Sequence, residues 1–167
     1  GILKDKDVKL EFFSFGTING SDGKPFKTRD GGVMTLENLL QLVKDEVSKN
    51  INPNYSDEEK KDITQKLAIA ALKYADLLPV RTTDYVFDID RFTSFEGDTG
   101  PYILYTIVRI KSILAKYAEN GGDYKAAKIG EAKNEFEKAL HMEIAQFGQV
   151  MDSAVTEIAP HKICGYI

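Results

Sequence analysis

A glycine-bounded segment near the start of the chain concentrates residues suited to phosphate chemistry. Residues 20–32 read GSDGKPFKTRDGG and place Lys24, Lys27 and Arg29 close to the hydroxyl of Thr28. Such a loop can bend over a polyphosphate and hold cations where negative charge develops during group transfer. The same pattern also fits an exposed turn that carries basic residues. The segment is therefore a candidate phosphate-binding loop, with a plain turn as the alternative.

The common nucleotide and metal motifs do not occur in this sequence. A P-loop would need a glycine where the chain has Ile18 and a serine or threonine where it has Pro25. His141 and His161 lie far apart along the chain, and Cys164 is the single cysteine. These residues do not form a zinc-binding pattern, so the sequence predicts no metal site.

A second candidate for chemistry is an Asp-x-Asp pair that follows an apolar run. Asp88 and Asp90 resemble the metal ligand and nucleophile of an aspartate-nucleophile phosphatase. Those enzymes have Thr or Val two residues after the second Asp, whereas this chain has Phe92 there. We therefore favour a helix cap and salt-bridge cluster around Arg91 and keep the phosphatase as an alternative.

Composition limits the functions that are open to the chain. It has 167 residues and a formal net charge of −4, which excludes a wholly basic nucleic-acid-binding protein. Residues 103–128 nevertheless carry five Lys or Arg against two acids, so contact with nucleic acid stays open. No apolar run reaches the roughly 18 residues that a membrane helix needs. We expect a protein of the cytoplasm without a membrane anchor.

The elements that would position these residues are mostly helices. Residues 8–18 are rich in β-branched and aromatic side chains, and turn dipeptides follow at Asn19-Gly20 and Asp22-Gly23. A short hairpin is expected here, with residues 24–28 as the returning strand. It is the only β-structure that the sequence predicts.

Capping residues and apolar spacing predict about five helices after this hairpin. Thr35 caps the first, and Ser56 with Glu59 forms a capping box for the second, which ends at Pro79. Residues 80–101 are predicted to be loop with one helical turn, and Pro101 opens a helix that Gly121-Gly122 ends. Two further helices, 131–146 and 149–159, are predicted to be separated near Gly148 and closed by Pro160. The apolar stripes expected on the second and third helices are Ile63, Leu67, Ala70, Tyr74 and Leu77, and Ile103, Ile107, Ile110, Leu114 and Tyr117.

Several long strings of the sequence resemble one enzyme family. The strings are SFGTINGSDGKPFKTRDGG, KYADL, TTDYVFDIDRFTSFEGDTGPYILYTIVRI, EFEKALHMEIAQF and IAPHKICGYI. Together they resemble the class I arginyl-tRNA synthetases, and the likeness runs from about Lys9 to the C-terminus. In that family FKTRDGG occupies the place of the signature loop written KMSKS. The final lysine of KMSKS has no equivalent, because Asp30 and Gly31 stand there.

The resemblance implies which residues bind ATP and which meet tRNA. Lys27 and Arg29 would be catalytic, and Lys24, Lys27, Thr28 and Arg29 would bind ATP. Arg109 and Lys116, seven residues apart on the helix at 102–118, would lie near one face and meet tRNA phosphates. The family uses ATP with Mg²⁺, and neither is expected to stay bound to this chain.

The resemblance also implies a division of the chain into parts of a longer protein. A His-x-Gly-His string, which class I enzymes carry in their nucleotide-binding fold, is not present. We therefore expect a mainly α internal fragment in which residues 1–34 end the catalytic domain and carry the KMSKS-like loop. Residues 35–98 would be connecting helices, and residues 99–167 would begin a helical anticodon-binding domain.

The function that follows is that of a fragment of an arginine–tRNA ligase. The parent enzyme would join arginine to its tRNA with ATP, as a monomer, and the fragment alone would be inactive. Two alternatives stay open at this point. A helical protein-interaction scaffold would show no dependence on ATP or RNA. An aspartate-nucleophile phosphatase would lose its activity when Asp88 is changed to Asn.

Overall fold

The structure is a computed structural model that describes residues 11–20, 23–25 and 34–167. These residues form six helices and two short strands, and the mainly α fold class is confirmed. None of the described helices is both long and apolar enough to cross a membrane. In chain order the elements are β1 (Ile18–Asn19), α1 (Leu36–Ser48), α2 (Asp57–Leu77), β2 (Tyr85–Val86), α3 (Ile89–Thr93), α4 (Gly100–Glu119), α5 (Glu135–Thr156) and α6 (His161–Tyr166).

The helix starts lie where the capping residues predict them. The Thr35 hydroxyl accepts a hydrogen bond from the backbone N–H of Asn38 at 3.2 Å. At the start of α2, Ser56 and Glu59 form a complete capping box. Each side chain there accepts from the backbone N–H of the other, which satisfies donors that the first turn leaves unpaired.

The core lies between α1 and α2, and α2 also contacts α3, α4 and α6. Five buried residues form its centre: Val43, Val47, Leu67, Ala68 and Ala71. The stripe predicted for α2 is wrong in part, because Leu77 is 40% exposed while the buried positions include three alanines. The predicted stripe was chosen mainly from large apolar residues, so it missed the alanines that let neighbouring helices pack closely against α2. At the start of α4, the backbone of Gly100 lies directly against α2. A Cβ at Gly100 would be 2.1 Å from the carbonyl oxygen of Ala70, so only a glycine fits there.

The β-structure differs from the predicted hairpin. β1 pairs in parallel with β2, with Ile18 opposite Tyr85 and Asn19 opposite Val86. The expectation of a single β signal is therefore wrong, because a two-residue strand is too short to produce a readable alternation. Among the described residues, an antiparallel bridge between Asn19 and Pro25 is the part of the predicted hairpin that forms. Residues 8–10 and 26–28 of that prediction lie outside the described residues.

The C-terminal helices also differ from the prediction. Residues 135–156 form one helix that passes through Gly148, so the break expected there is wrong. A glycine in a helix interior costs only about 1 kcal/mol relative to alanine, which a helix of 22 residues tolerates. The predicted closing residue Pro160 precedes a further helix, α6, instead of ending the helical part. The predicted helical turn between residues 80 and 101 is confirmed as α3.

Candidate functional site

Of the predicted ATP-binding residues, Lys24 lies in the described part of the chain. Its side chain is exposed, and it follows β1 directly in a tight turn. Lys27, Thr28 and Arg29 lie outside the described residues, so their roles stay predictions.

The turn that carries Lys24 is closed by backbone hydrogen bonds. The N–H of Gly20 donates to the carbonyl of Lys24, and the N–H of Gly23 donates to the carbonyl of Gly20, both at 2.9 Å. Gly23 has a φ of 72°, a left-handed conformation that favours glycine. The chain therefore reverses directly after β1 and presents the first cation of the loop at its surface.

The strand that leads into this turn is attached to the segment that follows α2. The N–H of Gly16 donates to the carbonyl of Arg81 at 2.8 Å, and the N–H of Thr17 donates to Oδ1 of Asp84 at 2.7 Å. Further along, the N–H of Tyr85 donates to the carbonyl of Thr17 at 3.1 Å. Hydrogen bonds from the backbone and side chain of Thr17 lower the pKa of Asp84 below its usual value. Sequence reasoning did not single out Arg81 or Asp84.

β2 is in turn held by the packed part of the molecule. The Tyr85 hydroxyl donates to Oδ1 of Asp76 on α2 at 3.1 Å, and burial raises the pKa of Tyr85. The ring of Phe87 packs on Phe92, with 5.3 Å between centroids, and Phe92 is buried. An open groove of about 740 Å³ runs beside this attachment, and its lining includes Ile18 of β1, Tyr85 of β2 and Leu39 of α1.

The predicted RNA-binding cations lie on α4. Arg109 and Lys116 are both exposed, and the guanidinium of Arg109 lies 5.6 Å from the centroid of the Tyr105 ring. Tyr102 and Tyr117 are also partly exposed on this helix. Cations that neutralise phosphates and rings that stack on bases are the usual components of an RNA-binding surface. The exposure fits the predicted role of Arg109 and Lys116, which stays a prediction.

The Asp-x-Asp pair lies at a helix start. Oδ1 of Asp88 accepts a hydrogen bond from the backbone N–H of Arg91 at 3.1 Å and caps α3, so the cap is confirmed. The expected salt-bridge cluster is wrong, since none of the ion pairs among the described residues involves Arg91. Asp90 is an exposed residue of the first turn of α3. In the described part of the chain, no three His, Cys, Asp or Glu side chains are grouped so that they could hold a metal ion.

Two family models match the chain, one after the other. Residues 3–89 match the catalytic domain of class I (R) tRNA synthetases, and residues 103–167 match the DALR anticodon binding domain. The catalytic match alone covers more than half of the chain. The chain belongs to the arginyl-tRNA synthetase family. The expectation from the sequence strings is thereby confirmed.

Relatives within this family are similar along the full chain. An arginine–tRNA ligase of Agathobacter rectalis is 52% identical across all of the chain, and one of Alkaliphilus oremlandii is 49% identical across 99% of it. The chain spans 30% and 28% of the length of these two relatives. It is thus similar to less than a third of each.

A solved arginyl-tRNA synthetase structure shares the fold. The enzyme of Thermus thermophilus superposes with a TM-score of 0.74 over 91% of the chain and 24% of its own chain. Sequence identity in this comparison is 24%, so it supports the arrangement of the elements alone. The predicted combination of a short β remnant with a helical part agrees with this fold.

Proposed function

We propose that the chain is part of an arginine–tRNA ligase, the parent ligase, which attaches arginine to tRNA for translation at the expense of ATP. The observation that carries this proposal is the order of the two family matches, catalytic and then anticodon-binding, with the cation-bearing turn inside the first and the exposed cations of α4 inside the second. In our division, residues 1–34 end the catalytic domain, residues 35–98 connect, and residues 99–167 begin the anticodon-binding domain.

The chemistry of the parent ligase requires charge stabilisation at a leaving group. The carboxylate of arginine attacks the α-phosphate of ATP, and pyrophosphate leaves with the negative charge that develops. Lys27 and Arg29 would stabilise that charge, with Lys24 and Thr28 as further contacts to the phosphates. The arginyl group then passes to the terminal adenosine of the tRNA, a step that depends mainly on positioning.

Mg²⁺ would take part as the partner of the ATP phosphates. This ion usually keeps several waters and is held by substrate phosphates together with one or two carboxylates. The described residues offer it no group of three ligating side chains. We therefore place its binding on the nucleotide and assign it none of the residues that the structure describes.

The part of the chain on α4 would contact tRNA. Arg109 and Lys116 would each neutralise a backbone phosphate, which positions RNA without reading its sequence. We propose that the parent ligase acts as a monomer in the cytoplasm, where translation takes place.

Pyrophosphate exchange and arginine transfer test the proposal. The parent ligase should exchange pyrophosphate into ATP and charge tRNA when arginine is present, and lysine at the same concentration should not replace it. The 167-residue chain alone should give the same exchange as buffer, because it spans less than a third of its relatives. A parent protein that charges no tRNA with arginine would refute the function. Clear exchange by the chain alone would refute our assignment of catalysis to the longer protein.

A further inference from the structure

β1 leads directly into the turn that carries Lys24, so whatever fixes β1 also fixes the base of the cation-bearing loop. We propose that Arg81 and Asp84 are positioning residues for this turn: they hold residues 14–17 in one place, and thereby set where Lys24 stands for its contact with the ATP phosphates. The inference rests on the proposed function.

Asp84 holds the backbone of Thr17 from the side of its N–H group. Its carboxylate accepts that N–H at 2.7 Å, and the neighbouring Tyr85 N–H donates to the carbonyl of Thr17 at 3.1 Å. Both backbone polar groups of Thr17 are therefore bound to consecutive residues of one segment. A hydrogen bond to an ionised acceptor is about twice as strong as a neutral one, which makes the carboxylate the stronger of the two contacts.

Arg81 holds the residues immediately before. Its carbonyl accepts the N–H of Gly16 at 2.8 Å, and its Nη1 donates to the carbonyl of Ser14. Its guanidinium also lies 5.2 Å from the centroid of the Phe13 ring. The strand pairing of β1 with β2 spans only two residues in each strand, so these contacts extend a ladder that would be weak alone.

The close approach of the two backbones defines the register. A Cβ at Gly16 would lie 2.2 Å from the carbonyl oxygen of Thr83. A slip of one residue would place the side chain of Phe15 or Thr17 at this point, where there is no space for it. The contacts of Arg81 and Asp84 therefore hold β1 in a register that steric exclusion already limits.

The segment that holds β1 is itself held by the core. Tyr85 is bonded to Asp76 of α2, and Phe87 packs on the buried Phe92. The core thus holds the β2 segment, the β2 segment holds β1, and β1 leads into the turn with Lys24. Because the contacts of Tyr85 and Phe87 hold the β2 segment independently of Asp84, the loss of this exposed carboxylate should loosen the attachment of β1 without unfolding the protein.

The first test measures the attachment itself in the 167-residue chain. Asp84→Ala should speed hydrogen exchange at the Thr17 amide about tenfold, because one charge-assisted hydrogen bond is lost. Asp84→Asn keeps an oxygen acceptor and should change it less. Asp152→Ala, which removes an exposed carboxylate on α5, is the matched control and should change nothing at Thr17. Exchange at Ala68 and Ala71 in the core should stay constant in all three variants.

Unchanged exchange at Thr17 in Asp84→Ala would overturn the inference. Faster exchange at Thr17 together with Ala68 would overturn it as well, since Asp84 would then act on the whole fold. If Asp84→Ala does not fold, the comparison between Asp84→Asn and Asp152→Ala decides, because the charge of the carboxylate is the part that strengthens the contact.

The second test measures positioning in the parent ligase. Asp84→Ala should lower kcat per titrated active site by about 10²-fold, the order of loss that a misplacement of about 1 Å causes. The KM for arginine should stay within about twofold, and Asp84→Asn should recover most of the turnover. A purely structural role would lower the fraction of active enzyme and leave kcat per active site unchanged, and that result would overturn the inference.

Failure of this inference can be told apart from failure of the proposed function. If Lys27→Ala/Arg29→Ala loses turnover and Asp84→Ala does not, the function stands and the positioning role is refuted. If the unmodified parent ligase charges no tRNA with arginine, the function fails and the catalytic half of the inference fails with it. The exchange data at Thr17 would still decide whether Asp84 holds β1.

Discussion

Helices α1 and α2 bury apolar side chains against each other, whereas many apolar side chains of α4 and α5 are exposed. In the first region Val43 and Val47 are fully buried between α1 and α2. In the second, Ile113 on α4 is 64% exposed and Phe136 on α5 is 87% exposed, and α5 contacts only α6 among the described elements. The difference teaches that apolar spacing indicates a face suited to burial, whereas the element that buries this face need not lie within these 167 residues.

The total surface area agrees with this contrast. A compact monomer of 18.7 kDa exposes about 8,300 Å². This chain exposes 13,173 Å². The twenty residues outside the described ranges would add at most about 3,200 Å² even as a fully extended chain. The excess area is consistent with the exposed apolar side chains of α4 and α5, whereas α1 and α2 share a buried core.

The largest effect on stability should separate the two regions. Leu67→Ala removes a buried side chain beside Val43 and Val47 and should lower the free energy of unfolding by about 2–5 kcal/mol. Ile113→Ala, the matched change on α4, should stay within about 0.5 kcal/mol. Urea unfolding followed by circular dichroism measures both. Equal losses would mean that α4 is buried in solution, and the contrast would be wrong.

RNA binding should depend on the exposed cations of α4 and not on those of α2. At low salt, log affinity of the chain for tRNA should fall with log salt at a slope near −2, because each neutralised phosphate contributes roughly −0.7 to −0.9. Arg109→Ala/Lys116→Ala should bring that slope close to zero. Lys61→Ala/Lys73→Ala removes two exposed lysines of α2 and should leave it unchanged. Fluorescence anisotropy over a salt series gives the slopes, and a flatter slope in the α2 variant alone would contradict the assignment.

The smallest effect concerns the pH dependence of the β1 attachment. The pKa of Asp84 is lowered in the folded chain, so its contribution to stability is complete above the usual value near 3.8 and is lost as pH falls through the folded pKa. The chemical shift of the Thr17 amide proton should therefore titrate below pH 3.8, and Asp84→Asn should abolish that titration. A midpoint at or above 3.8 would show that the carboxylate is not held by Thr17.

Local signals in the sequence were sufficient for the helix starts. Thr35, Ser56 and Glu59 act on neighbouring residues, so their caps follow from the sequence alone. The β1–β2 pairing was not predictable, because it joins short segments that lie far apart in the sequence, Ile18 with Tyr85 and Asn19 with Val86. The path through Gly148 was missed because the helix context outweighs the cost of one glycine.

The candidate site was predictable to a similar degree. The cations of residues 20–32 and of α4 were found because their types and spacing are local features of the chain. The supporting contacts of Arg81 and Asp84 depend on tertiary placement, so only the structure reveals them. Residues 81–85 read RTTDY, and this short, mostly polar run has no alternation of apolar and polar residues that would indicate a strand.

Steady-state arginylation by the parent ligase tests the central claim, that the cations of residues 20–32 supply the chemistry and the exposed cations of α4 supply the RNA contact. Lys27→Ala/Arg29→Ala should lower kcat by about 10²–10³-fold with little change in the KM for tRNA, because the loop cations act on charge that exists only during the reaction. Arg109→Ala/Lys116→Ala should raise the KM for tRNA and leave kcat within about twofold. An unchanged kcat in the loop variant, or an equal loss of kcat in both variants, would contradict the account.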